Sequence, residues 1–209
     1  MLALLLAAAA EPQDAIAAER AFIADAQKNG QWTAFRNWAA FDALMFTPEP
    51  TYAQDFLRKR ADPPQSVDWA PALSIVSCDG RVAVNHGPWW KGDGHGTFTT
   101  IWFERDGKWR WTYDGGQSGT AVGPVPKDPT VRKASCNHLP PRGPANAYGT
   151  GRLGTPDGKA PSTMQGSSDD MSLRWGWTRD PDAKERRIVV ETWNGWTYDV
   201  AFAETVADE

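Results

Sequence analysis

Residues 95–116 read HGTFTTIWFERDGKWRWTYDGG and carry the strongest local signal in the chain. Two alternating runs rich in Trp, Thr and Phe flank Asp106-Gly107, the dipeptide favoured in two-residue type I′ hairpin turns. The register of such a hairpin gives three cross-strand pairs: Trp102 with Trp111, Thr100 with Tyr113, and Glu104 with Trp109. One face then carries five aromatic side chains: Phe98, Trp102, Trp109, Trp111 and Tyr113. A face with this much aromatic area must be covered by helices or must line a cavity.

The composition is that of a globular protein, large enough for one domain or for one domain with an appendage. The chain has 209 residues, of which 41% are hydrophobic and 23% are charged, and 12 are Trp. A net charge of −4 argues against the clustered Lys and Arg that contact phosphates in nucleic-acid-binding proteins. We therefore expect no nucleic-acid partner.

The first ten residues, MLALLLAAAA, resemble the apolar core and small-residue cleavage site of a truncated signal peptide. The alternative is a frayed Ala-rich helix, since no Lys or Arg precedes the apolar run. The run is too short for a transmembrane segment, and no later run approaches the required length. A signal peptide predicts a periplasmic or secreted protein, in which a Cys78–Cys136 disulfide is favoured over two unpaired thiols.

The order of predicted elements indicates an α+β fold, with N-terminal helices packed on one face of a curved antiparallel sheet. Apolar residues at three- and four-residue spacings predict helices over residues 14–29, 31–40 and 52–60. A period of two then predicts strands over residues 67–76 and 81–90, followed by the hairpin. Pro71 inside the first strand predicts a bulge or an edge position.

The remainder of the chain predicts a separate C-terminal unit. Residues 117–168 are rich in Gly, Pro, Ser and Thr and predict an irregular connection. Alternation returns in residues 169–209, where Asn194-Gly195 is a second hairpin signal. This C-terminal β-meander either extends the first sheet or forms a small sheet packed on the main domain, and the second arrangement is favoured.

Five segments resemble the nuclear transport factor 2-like superfamily, in its SnoaL-like and ketosteroid-isomerase-like branch: AIAAERAFIADAQKNG, FDALMFTPEP, AQDFLRKR, SCDGRVAVNHGPW and FERDGKWRWTYDGG. The resemblance covers residues 12–116. The chain is therefore predicted to contain a signal peptide (residues 1–10), a cone domain (11–116), an irregular connection (117–168) and a C-terminal β-meander (169–209). It implies a cone-shaped, strongly bent antiparallel sheet closed by helices around a deep apolar pocket. Members range from isomerases, hydrolases, dehydratases and cyclases to proteins that only bind or dimerise, so the fold alone does not determine the function.

The predicted pocket offers four candidate catalytic residues. Tyr113 shares the Trp109 and Trp111 face and could donate a hydrogen bond to an oxyanion. Asp114 could act as a base of raised pKa, although it begins on the opposite face unless a bulge or the following glycines re-aim it. The other two are His86, in the middle of a strand, and Asp42, after the second helix. Each has a structural alternative: core packing for Tyr113 and His86, and turn or surface positions for the two aspartates.

The sequence is compatible with three functions. The first is an exported protein that binds a small apolar or aromatic molecule between walls formed by Phe98, Trp102, Trp109 and Trp111. The second is a lyase, isomerase or dehydratase that uses the same pocket without a cofactor. The third is a non-catalytic module that dimerises through its open sheet face. We expect no metal site, because the histidines lack the spacing of metal ligands.

Overall fold

In a computed structural model, which describes residues 13–119, 124–142 and 159–207, the chain forms three layers. Helices cover one face of a large sheet, and a small sheet covers the other face. The predicted signal peptide lies outside the described residues. No helix among the described residues is long and apolar enough to cross a membrane.

The helical layer contains α1 (Ala15–Asn29), α2 (Gln31–Trp38) and α3 (Ala53–Leu57). The Asp14 carboxylate caps α1 by accepting a 2.8 Å hydrogen bond from the backbone N–H of Ala17. Gly30 ends α1 at a φ of +105°, a conformation that favours glycine, and so allows α2 to start at once. The predicted positions of α1 and α2 are confirmed, and α3 is shorter than predicted.

The large sheet has eight strands: β1 (Ala39–Phe46), β2 (Pro50–Tyr52), β3 (Asp68–Trp69), β4 (Leu73–Val76), β5 (Val82–Lys91), β6 (Gly94–Arg105), β7 (Lys108–Ser118) and β8 (Thr130–Lys133). Their order is β2-β1-β7-β6-β5-β4-β8, with β3 pairing to β5 beside β4. The sheet is curved and unclosed. Pairing is antiparallel except between β1 and β7 and between β4 and β8, which are parallel. The sheet is therefore mixed and not purely antiparallel as predicted.

Pro71 interrupts the strand predicted over residues 67–76 and separates β3 from β4. Proline has no backbone N–H to donate to the neighbouring strand. The residues on either side keep the pairing with β5: the Ala70 N–H donates to the carbonyl of Pro88, and the Ala72 N–H donates to that of His86. The predicted irregularity at Pro71 is confirmed.

The β6–β7 hairpin forms as predicted at its turn but not along its whole length. Trp102 pairs with Trp111, and Glu104 with Trp109. Beyond them Thr112 is an extra residue on β7, so Ile101 pairs with Tyr113 and Thr100 with Asp114. The predicted Thr100–Tyr113 pair is wrong, because this β-bulge moves every later β7 side chain to the other face.

The small sheet has four consecutive antiparallel strands: β9 (Thr163–Ser167), β10 (Leu173–Asp180), β11 (Glu185–Trp193) and β12 (Tyr198–Ala207). It is separate from the large sheet and packs on it. Strands β8 and β9 lie in residues 117–168, which were predicted to be irregular. All four β8 side chains are exposed, so this short edge strand carries no apolar alternation by which it could be recognised.

Two hydrophobic cores result from this layering. The helix-side core includes Phe22, Phe35, Trp69, Trp102 and Trp111. The inter-sheet core combines Val84, Ile101 and Tyr113 of the large sheet with Trp177 and Ile188 of the small sheet. The sheet face required for the predicted dimerisation is therefore covered by the chain's own C-terminal strands.

The disulfide between Cys78 and Cys136 is confirmed, with a Cα–Cα distance of 5.2 Å. It joins the turn after β4 to the segment that follows β8. The same segment reaches the small sheet, where the backbone N–H of Ser135 donates to the carbonyl of Trp193. The crosslink therefore holds the connection between the two sheets close to the large sheet.

Candidate functional site

A cavity of about 620 Å³ lies between α2 and the helix-side face of the large sheet. Six aromatic side chains line its walls: Trp32, Phe35, Phe46, Trp69, Trp89 and Phe98. Thr47, Pro48, Lys91 and Ser118 are exposed lining residues at its mouth. The volume lies within the range typical of small-molecule sites, about 300–1,000 Å³.

Asp114 is the carboxylate on the wall of this cavity. The bulge at Thr112 turns its side chain to the helix-side face, between Thr100 on β6 and Met45 on β1. Within the described residues, no hydrogen-bond donor contacts its carboxyl group. Burial and, to a smaller extent, the charge of Glu19 raise the pKa of Asp114 to about 8, although the charge of Arg186 opposes this shift. An unpaired carboxyl group of near-neutral pKa therefore faces the cavity.

A second carboxyl group, that of Glu19 on α1, lies fully buried beneath the helices. It accepts hydrogen bonds from the indole N–H of Trp69 at 2.7 Å and of Trp102 at 2.6 Å. The side-chain amide of Asn85 donates to it at 3.2 Å. Burial raises the pKa of Glu19 to about 7, although these three hydrogen bonds lower it.

A row of polar residues crosses the sheet between these two carboxyl groups. Asn85 on β5 pairs with Thr100 on β6, which in turn pairs with Asp114 on β7. The buried Asn85 Oδ1 and Thr100 Oγ1 have no hydrogen-bond partner in the described part of the chain. Buried polar atoms are almost always paired, so two unpaired oxygens make this polar row unusual within an otherwise aromatic layer.

Arg186, on β11 of the small sheet, also lines the cavity and is only 4% exposed. It donates a hydrogen bond to the carbonyl oxygen of Gly116 and lies 4.4 Å from the centre of the Phe46 ring. The small sheet therefore covers the face of the large sheet opposite the helices and also contributes a cation to the cavity.

The structure does not bring the four predicted catalytic residues together. Tyr113 lies on the opposite face of the sheet from Asp114, in the inter-sheet core, where burial raises its pKa to about 12. The prediction that Tyr113 shares a face with Trp111 is wrong, because the bulge separates them. Asp42 lines a separate hollow of about 280 Å³ with Arg105 and Arg110.

His86 lies in the seam between the sheets. Its Nδ1 is 3.0 Å from the hydroxyl of Thr99, and that hydroxyl donates to Glu204 at 3.1 Å. Its ring packs 4.8 Å from that of Phe202. Burial lowers the pKa of His86, and the charge of Glu204 opposes this shift. His86 is therefore on the opposite side of the large sheet from Asp114.

Of the four predicted wall residues, Phe98 lines the cavity. Trp102, Trp109 and Trp111 share its face but are buried in the helix-side core, away from the cavity lining. The centre of the Trp102 ring is 5.9 Å from that of Trp38, for example. Helical side chains fill the space above these three indoles, so the cavity forms nearer the other end of the hairpin.

Sequence reasoning missed Glu19 and Arg186, although both carry a signal. Glu19 falls on the apolar stripe of α1, beside Ala15, Ala18 and Phe22, where a charged residue is unusual. Arg186 lies on the same inward face of β11 as Ile188 and Val190, at every second position. In both cases the helical or strand period places a charge on a buried face.

No group of three or more His, Cys, Asp or Glu side chains within the described residues could hold a metal ion. The cavity combines one unpaired carboxyl group, one buried guanidinium group and aromatic walls. It can hold an apolar molecule and exchange a hydrogen bond or a proton with it.

No protein-family model and no curated protein matches this sequence. Solved structures do match it at low identity. A "putative ketosteroid isomerase" from Kribbella flavida is 21% identical over 63% of this chain and 90% of its own, with a TM-score of 0.36. A protein of unknown function of the DUF3225 family, from Pectobacterium atrosepticum, is 12% identical over 49% of this chain and 87% of its own, with a TM-score of 0.38.

A third structure is the "putative calcium/calmodulin dependent protein kinase II association domain" from Xanthomonas campestris. It is 22% identical over 55% of this chain and 95% of its own, with a TM-score of 0.36. This chain has a mixed α+β architecture, with few helices on a curved, unclosed sheet.

Proposed function

We propose that the protein binds a small, mostly apolar molecule that carries a hydrogen-bond-accepting group. The observation that supports this most directly is the unpaired Asp114 carboxyl on the wall of a 620 Å³ aromatic cavity. With a pKa of about 8, Asp114 is largely protonated at neutral pH and acts as a hydrogen-bond donor. An apolar cavity with a few placed polar groups is the usual form of a ligand site.

Calorimetric titration with 2-acetylnaphthalene, a neutral aromatic ketone, tests this proposal. The wild-type protein should bind the ketone, and Asp114→Ala should weaken binding by about tenfold, the value of one hydrogen bond. Asp93→Asn, in the exposed turn between β5 and β6, is the matched control and should bind as the wild type does. Absence of binding by this ketone and by a panel of apolar alcohols and esters would reject the proposal.

A second candidate function is proton transfer to or from the bound molecule, as in an isomerase or lyase. It is favoured by the position of Asp114, which is open to the cavity and has a pKa near the working pH of a general acid or base. Tyr113 and His86 face the other side of the sheet, so Asp114 carries this role without them.

One measurement, proton exchange into the bound ketone, distinguishes the two functions. In deuterated buffer, an enzyme of this kind should exchange the methyl protons of 2-acetylnaphthalene, which NMR detects. Asp114→Asn should retain binding and lose this exchange. If the wild-type protein binds the ketone but exchanges its protons no faster than buffer does, the function is binding alone.

We also propose that the protein is exported. The Cys78–Cys136 disulfide supports an oxidising compartment, because such bonds are rare in reducing ones. Fusing residues 1–12 to an alkaline phosphatase that lacks its own leader tests the proposal. Phosphatase activity outside the cytoplasm is the expected result, and an inactive, cytoplasmic fusion would contradict it.

A further inference from the structure

The Arg186 guanidinium is a buried cation without a counter-ion. No carboxylate among residues 13–119, 124–142 and 159–207 forms an ion pair with it, and its Nε is buried without a hydrogen-bond partner. Its neighbours are neutral: the carbonyl of Gly116, the ring of Phe46 and the hydroxyl of Tyr113. Buried charges in proteins are normally paired, since removing an ion from water is strongly unfavourable.

Asp114 does not provide the missing negative charge at neutral pH. Its carboxyl group faces the same cavity, and burial raises its pKa to about 8, so the protonated form predominates at neutral pH. Glu19 on α1 accepts hydrogen bonds from the indoles of Trp69 and Trp102. Lys91, an exposed residue that also lines the cavity, adds a second positive charge. The cavity is therefore positive and apolar at once.

We propose that the natural ligand is an anion, an apolar or aromatic body with one carboxylate or enolate group that pairs with Arg186. This inference rests on the proposed binding function and names its ligand class. Arg186 lines the cavity, and its contacts with Gly116 and Phe46 hold the planar guanidinium in place. Protonated Asp114 donates a second hydrogen bond to the same anionic group.

The groups that face this subsite come from several elements. Asp114 and Tyr113 lie on β7, Glu19 on α1, Lys91 on β5 and Glu204 on β12. Glu204 is held by the hydroxyls of Thr97 and Thr99 on the far face of the large sheet. Of these groups, Lys91 favours an anion, and Asp114 opposes one only after it ionises.

The test compares two ligands of the same shape, 1-naphthaleneacetate and 1-naphthaleneacetamide, by calorimetry on the full chain at neutral pH. The acid should bind at least tenfold more tightly than the amide. Arg186→Gln should abolish this preference by weakening the acid alone. Arg187→Gln, the exposed neighbour on β11 that faces solvent, is the matched control and should leave the preference unchanged.

Arg186 also anchors the small sheet to Gly116, so Arg186→Gln could affect folding. Arg186→Lys keeps the charge and serves as the second variant: it should retain a preference for the acid that is weaker than that of the wild type. Equal binding of acid and amide by the wild type would overturn the proposal, and so would an acid preference that persists in Arg186→Gln. Binding of the neutral ketone with no preference for the acid would reject this ligand class while the binding function stands. If none of these probes binds, both proposals fail.

Discussion

Asp114 pairs with Thr100 across the β6–β7 hairpin, in the position that an uninterrupted hairpin would give to Tyr113. The cause is the single extra residue Thr112. The bulge places a carboxyl group on the cavity wall and moves a phenol into the inter-sheet core. A register shift of one residue thus determines whether a carboxyl group or a phenol faces the cavity.

Deletion of Thr112 should restore the uninterrupted register and invert the faces of residues 113–118. Tyr113 would then enter the cavity, while Asp114 would enter the inter-sheet core without a partner. We expect a loss of about 4 kcal/mol or more of unfolding free energy, because a buried carboxyl group and misplaced aromatic packing are both unfavourable. Denaturant unfolding measures this loss, and Thr112→Ser, which keeps the residue count, should change it little.

Glu19 predicts a pH-dependent stability. Its pKa is about 7 in the folded protein and 4.5 in the unfolded chain. Folding therefore takes up a proton between these values, so the contribution of Glu19 to stability should fall as the pH rises from about 4.5 to 7 and then level off. Integrated over this window, the loss is about 3 kcal/mol.

Urea unfolding at a series of pH values tests this prediction best in an Asp114→Asn background, where the second raised pKa is absent. Adding Glu19→Gln should flatten the curve across the window. A curve with the same slope in both variants would show that Glu19 is not the titrating group.

Binding of an anionic ligand should weaken as Asp114 ionises. With a pKa of about 8 for Asp114, the affinity for 1-naphthaleneacetate should fall as the pH rises above that value. The expected slope is about tenfold per pH unit, because ionised Asp114 both loses its donated proton and repels the ligand. In Asp114→Asn the affinity should stay flat over the same range, and a decline there would assign the titration to another group.

Removal of the disulfide should destabilise the protein without changing the cavity. Cys78 and Cys136 are 58 residues apart, and closing a loop of that size corresponds to about 4 kcal/mol in the chain-entropy account. The Cys78→Ser/Cys136→Ser variant should therefore unfold at a lower denaturant concentration and bind the same ligands. Reduction of the wild-type protein should reproduce the change, and a reduced protein of unaltered stability would contradict it.

Much of the framework was predictable because it depends on local signals. Helices α1 and α2, the Asp106-Gly107 turn and the interruption at Pro71 all follow from spacing or backbone chemistry within a few residues. Most of the second sheet was predicted from alternation in residues 169–209, but its strand β9 was not, and neither was β8. Its parallel pairing with β4 joins segments far apart in sequence and leaves its side chains in solvent.

The site was less predictable than the framework. The residue types were visible in the sequence: an aromatic hairpin, an aspartate beside it and a charge on each of two apolar faces. The tertiary structure alone decided which of them meet. The bulge at Thr112 places Asp114 on the cavity side of the sheet, and Arg186 reaches the cavity only because the small sheet folds back over the large one. Local patterns determine which elements form, whereas contacts between distant segments determine which side chains face the same space.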